Sequence, residues 1–151
     1  MQKITTFLMY REKCLEAVEF YMSIFKNSRI VSTMRGPDGK PAGATVEIEG
    51  QTFHVYDGGD HFSFSQGMSL MVYADTQEEI DRLYGSLSEG GEQLPCGWLT
   101  DKYGVSWQIT PPQLMEMITD PDREKADRAT NAMLQMKKII LADLQTAFDG
   151  V

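Results

Sequence analysis

The chain has 151 residues, 42% of them hydrophobic and 24% charged, which suits one globular domain with a real core and is too apolar for disorder. Fourteen Lys and Arg against 22 Asp and Glu leave a net charge of −8, which repels phosphate backbones and anionic lipid and excludes general nucleic-acid binding. No apolar run approaches the ~18 residues of a membrane span, MQKITTFLMY lacks the zones of a signal peptide, and the two cysteines, Cys14 and Cys96, form neither a metal cluster nor a disulfide framework, so a reducing cytoplasmic setting is expected.

Residues 2–10 are rich in β-branched and aromatic side chains and read as a strand. Over 13–26, Leu15, Val18, Tyr21, Met22 and Phe25 recur at three and four, one apolar stripe of an amphipathic helix. Strand-like runs follow at 29–35, 43–49 and 51–57, the first two parted by the turn cluster Gly36-Pro37-Asp38-Gly39-Lys40-Pro41. Residues 58–67 carry Gly and Ser with no period and read as a linker. Then the order restarts, with a strand at 68–74, a helix at 76–88 with Glu78 and Glu79 in its first turn, and short strands at 92–94, 97–101 and 105–110. A shift of 63 lays Tyr10 on Tyr73, Glu16 on Glu79, Tyr21 on Tyr84 and Ser23 on Ser86, and keeps the apolar register, which points to a duplication.

The tail predicts helices at 112–118 and 121–148, the second opening at Asp120-Pro121 and closing at Gly150. Ala126, Ala129, Met133, Met136, Ile140, Leu144 and Ala147 form its stripe. Unbroken, that helix would be about 42 Å long, more than one small domain covers. Either it breaks near Lys137-Lys138 or its stripe meets a second subunit, and a homodimer is expected.

Alternation on the strands divides two faces. One face collects Thr6, Leu8, Tyr10, His54, Tyr56, Ser69, Met71, Tyr73 and Gln108, with Phe7 and Met9 assigned to the packed side. Aromatics with a few polar groups on a sheet make a small-molecule cleft, and Trp98 is a candidate for its rim. No Asp or Glu falls inside these strands on that face, so paired-carboxylate acid–base chemistry lacks candidates. No nucleophile elbow, Walker loop, H-E-x-x-H motif or glycine-rich cofactor loop occurs. Cys96 reads as structural rather than reactive.

FLMYREKCLEAVEFYMSIF, CGWLTDKYGVSWQITP and DPDREKADRATNAMLQMKKI together resemble the PhnB-like family of the vicinal oxygen chelate superfamily, which also holds glyoxalase I, bleomycin-resistance proteins and extradiol dioxygenases. Members are often labelled 3-demethylubiquinone-9 3-methyltransferase-like. The resemblance implies an α+β fold, paired βαβββ modules at 2–57 and 68–110 forming a cupped mixed sheet within a domain of 1–111, and a helical extension at 112–151. It implies that modules pair across subunits. It places the four metal-ligand positions of metal-using members at Thr6, His54, Ser69 and Gln108. Only His54 is a good ligand, so no metal and no cofactor are expected. The expected function is binding of an unknown small molecule in the cup by Thr6, Tyr10, His54, Tyr56, Ser69, Tyr73, Trp98 and Gln108. The alternatives are a glyoxalase- or dioxygenase-type enzyme with an atypical metal site, and a dimer with no ligand.

Overall fold

A computed structural model describes residues 2–151. The chain divides into a first unit ending at Phe64 and a second unit, Ser65–Val151. The first unit runs β1 (Thr6–Tyr10), α1 (Cys14–Ile24), β2 (Ser28–Arg35), β3 (Pro41–Ile48) and β4 (Gln51–Asp57). Its sheet has the order β1-β4-β3-β2, with β1 parallel to β4 and the other pairs antiparallel. α1 buries Cys14, Ala17, Val18, Tyr21 and Ile24, and the sheet buries Tyr10, Ala44, Val46, Ile48 and Val55 among others. No side chain of its own caps α1; the Asp57 carboxylate at the end of β4 accepts from the Cys14 amide at 2.8 Å. That hydrogen bond ties the helix start to the last strand. β3 and β4 are joined by Glu49 and Gly50, with φ of 49° and 79°, the two-residue hairpin turn whose left-handed positions favour glycine.

The second unit repeats the plan with β5 (Leu70–Tyr73), α2 (Gln77–Ser88), β6 (Glu92–Gln93), β7 (Trp98–Thr100) and β8 (Ser106–Thr110), in the order β5-β8-β7-β6. Both units are thus βαβββ modules, as the repeat predicts. Thr76 caps α2 by accepting from the Glu79 amide at 3.2 Å. Ile80, Leu83, Tyr84 and Leu87 pack below 2% exposure in one core with Leu99, Trp107 and Ile109.

The tail forms α3 (Pro112–Ile118), α4 (Arg123–Leu134) and α5 (Leu141–Asp149). The helix expected over 121–148 is therefore interrupted between Leu134 and Leu141, around Lys137-Lys138. Its N-cap is Asp122, which accepts from the Glu124 and Lys125 amides; Asp120, the expected cap, instead accepts from the Asp122 amide at 2.8 Å. Gly150 closes α5 at φ 77°. The break lets the stripe fold on itself: Leu114, Met117, Ala129, Ile139 and Leu144 form one core with Met133, Met136 and Phe148 packed against it. The stripe does not require a second subunit. Among the described residues no helix is long and apolar enough to cross a membrane.

Candidate functional site

Register decides which side chains share a face, because paired residues project to the same side. In the first sheet Phe7 pairs with His54 and His54 with Thr45, while Met9 pairs with Tyr56 and Tyr56 with Gly43. These residues, with Met34 of β2, line the face opposite α1. His54 sits at its middle. Its Nδ1 is hydrogen-bonded to the Thr45 hydroxyl at 2.9 Å, and its ring stacks on Phe7 with centroids 5.8 Å apart and planes 28° apart. The one charged pair on this face, Arg29–Glu47, closes on itself through hydrogen bonds of 2.9 and 3.2 Å. Gly43 leaves room for Tyr56: a Cβ there would stand 2.7 Å from the Tyr56 ring and 2.4 Å from the Val55 carbonyl oxygen.

Three expected residues, Thr6, Leu8 and Tyr10, do not share this face; Leu8 pairs with the buried Val55. Thr6 pairs with Phe53, and Tyr10 with Asp57. Tyr10 is 1% exposed, and its hydroxyl meets that of Tyr21 on α1 at 3.0 Å. The alternation of β1 is real, but its sides are reversed. Phe7, 52% exposed, and Met9 take the open side instead. The sides are set by the register with β4, where Phe7 lies opposite His54 and Met9 opposite Tyr56; the junctions that follow also differ, with Lys13 entering α1 at φ 65° and its counterpart Thr76 entering α2 at φ −121°. Thr45, also absent from the expected set, lies on a run whose alternation is blurred by Gly43 and Ala44.

In the second sheet Met71, Gln108 and Trp98 pair across β5, β8 and β7. Tyr73 lies two residues beyond Met71 on the same side. The Gln108 amide donates to the Ser69 hydroxyl at 2.8 Å. Ser69, Tyr73, Trp98 and Gln108 therefore belong to one face, and Trp98, whose facing the sequence leaves open, is on it.

The donor chemistry does not fit a divalent transition metal. Among the described residues no three His, Cys, Asp or Glu side chains converge, and the companions of His54 are neutral hydroxyls and rings, poor replacements for a hydration shell. Cys14 offers no nucleophile here, and Cys96 is half-buried. Cys14 is fully buried, and burial, then the nearby Asp57 charge, pushes its thiol up to about 12. Asp101 is buried as well, yet it is a structural anchor. Its Oδ1 accepts from the Tyr103 and Val105 amides at 2.8 and 3.0 Å, and its Oδ2 from the Trp107 indole at 2.9 Å.

The profile of the 3-demethylubiquinone-9 3-methyltransferase family matches residues 2–110. The chain belongs to this PhnB-like family. A solved Bacillus cereus PhnB protein, described by the same methyltransferase name, is 41% identical over 73% of this chain and 99% of its own, with a TM-score of 0.67. Protein PA1353 of Pseudomonas aeruginosa is 20% identical over 74% of this chain and 98% of its own, with a TM-score of 0.62. The fosfomycin resistance protein FosX of Listeria monocytogenes, solved with Mn(II) and sulfate, is 13% identical over 72% of this chain and 91% of its own, with a TM-score of 0.53; at that identity the likeness concerns the fold alone. The family's fold is that of the vicinal oxygen chelate superfamily. No curated protein matches the chain.

Proposed function

We propose that this protein binds a small, uncharged, partly aromatic molecule on the open faces of its sheets, without a transition metal. The observation that carries the reading is the fixed imidazole of His54, held by Thr45 and Phe7 on a face of Met9, Met34 and Tyr56. A ring already immobilised loses little entropy when its second nitrogen, Nε2, addresses a ligand. Phe7 and Tyr56 supply stacking surface beside it. An anionic ligand would give up hydration, and Arg29, the cation beside Glu47 on this face, is already engaged by that carboxylate. The Ser69–Gln108 pair beside Trp98 and Tyr73 supports the same chemistry on the second sheet. Methyl transfer, which the family's description names, finds no support in the strand-to-helix junctions. Arg11-Glu12-Lys13 and Ala74-Asp75-Thr76 contain no glycine to bring backbone against a cofactor.

The test is a thermal-shift titration with 2-naphthol and its anionic counterpart 2-naphthoate. 2-Naphthol is expected to stabilise the protein, by about 2.7 kcal/mol at 100 times its Kd, and 2-naphthoate to have no effect. His54→Ala should weaken 2-naphthol binding by about 1 kcal/mol or more, the scale of one lost hydrogen bond, without unfolding the chain. Preference for the anion, or an unchanged affinity in His54→Ala, would remove the basis of the reading.

A homodimer belongs to the same proposal, now on different grounds. Phe7 in the first unit is 52% exposed, and Met68 and Tyr73 in the second are 82% and 59% exposed; exposed apolar side chains favour association. Sedimentation at micromolar concentration should give about twice 17.0 kDa; a clean monomer would contradict it. Two free cysteines suit a reducing, cytoplasmic setting.

A further inference from the structure

Between α4 and α5 the chain crosses the second unit without regular structure, gripped by groups that read its backbone. The Cys96 and Gly97 amides donate to the Met136 and Lys137 carbonyls at 2.8 and 2.7 Å. The Gln77 side chain takes the next stretch, donating to the Ile139 carbonyl at 3.0 Å and accepting from the Leu141 amide at 2.8 Å. Lys138 adds an ion pair with Asp81 at 2.8 Å. Ile139 is fully buried and so close to Gly97 that a Cβ there would stand 3.1 Å from its Cγ1.

The grip acts on an unusual turn. Cys96 and Gly97 are both left-handed, at φ 64° and 81°. An L residue such as Cys96 adopts that conformation only when its surroundings hold it, and consecutive amides presented this way form a nest for oxygen atoms. Here the oxygens are the tail's own carbonyls. The next residue is Trp98, paired with Gln108 on the open face.

We propose that Met136–Leu141 is a strap that sets the Pro95–Gly97 turn and through it the orientation of Trp98, so that Gln77 and Ile139 are positioning residues for the binding face of the second sheet. The strap lies outside the residues that the family profile matches, 2–110, so this hold on Trp98 is supplied by the tail. The proposal rests on the reading of that face as a ligand surface, and its test does not use a ligand.

In 15N-labelled full-length protein, Gln77→Ala and Ile139→Ala are expected to accelerate hydrogen exchange of the Cys96 and Gly97 amides roughly tenfold or more. They should also displace the Trp98 indole resonance while that of Trp107 stays in place. Ile139→Val, which keeps the buried branch, should restore both signals. If Ile139→Ala fails to fold, Gln77→Ala carries the test, because it removes three hydrogen bonds, two to the strap and one to Asp81, and no core volume. Faster exchange with an unmoved Trp98 signal would overturn the proposal, leaving the strap a purely structural tie. So would unchanged exchange in the variants. A moved Trp98 in a protein that ignores 2-naphthol would uphold the strap and sink the ligand reading.

Discussion

Asp101→Ala is expected to cost about 3 kcal/mol or more, the largest loss of any single polar substitution considered. The carboxylate is 2% exposed and the Trp107 ring 3%, so no water replaces what is removed. Three donors converge on it, the Tyr103 and Val105 amides and the Trp107 indole. Hydrogen bonds to a charged acceptor are worth about 1.5–3 kcal/mol each, partly offset by the cost of keeping the charge buried. The anchor folds the connection between β7 and β8 and locks Trp107 into the α2 core. At about 2–4 °C per kcal/mol for a chain of this size, the thermal midpoint should fall by about 10 °C. Asp101→Asn keeps an acceptor oxygen and should lose roughly half as much. A midpoint within about 2 °C of the parent in Asp101→Ala would show that the three hydrogen bonds are worth far less than their burial implies.

Gly43→Ala is the second. A methyl group there would overlap the Val55 carbonyl oxygen and the Tyr56 ring, in the middle of the first sheet, where neither backbone can move without breaking the ladder. Overpacking of this kind costs about 1–3 kcal/mol, more when the obstacle is backbone. The variant should also push Tyr56 off its place and weaken 2-naphthol more than stability alone explains. Gly85→Ala is the control. Gly85 lies within α2, and nothing stands within 4 Å of an added Cβ, so helix propensity should make the change stabilising by about 0.5–1 kcal/mol. Equal effects of the two substitutions would mean that crowding at Gly43 is not the operative cause.

Much of this architecture is legible in the residues. Every strand and helix of both modules can be placed within a few positions, because alternation and three–four spacing are imposed by burial, which acts on composition directly. The tail break was half legible: Lys137-Lys138 interrupts the apolar stripe, but the same stripe over 121–148 is equally consistent with an unbroken helix covered by a second subunit. Sidedness was harder. Alternation divides β1 into Phe7 and Met9 against Thr6, Leu8 and Tyr10, but both sets are apolar enough to be buried. The choice is made by pairing with β4, which sets Phe7 opposite His54 and Tyr10 opposite Asp57, a register that β1 alone does not encode. Alternation alone therefore assigns Tyr10 to the open face, whereas its hydroxyl finds a buried partner in Tyr21. His54, Ser69 and Gln108 were readable as polar residues in apolar runs. Their fixed partners, Thr45 and Phe7, were not, because they come together only through strand pairing.

The parallel pairing of first strand with last has a consequence for how the molecule is made. Thr6 joins Phe53, 47 positions on (53 − 6), and Leu70 joins Trp107, 37 positions on (107 − 70), whereas Ile48 meets Gln51 across a tight turn. On a ribosome adding about 5–20 residues per second, β1 therefore waits several seconds for the strand that will hold it. The β2–β3–β4 meander can close meanwhile, since its contacts are local and its loops cost little entropy. Within its module β1 is the first strand synthesised and the last seated. Its TFLMY segment spends that interval as an unpaired apolar strand, a stretch of the nascent chain that chaperone cover would protect.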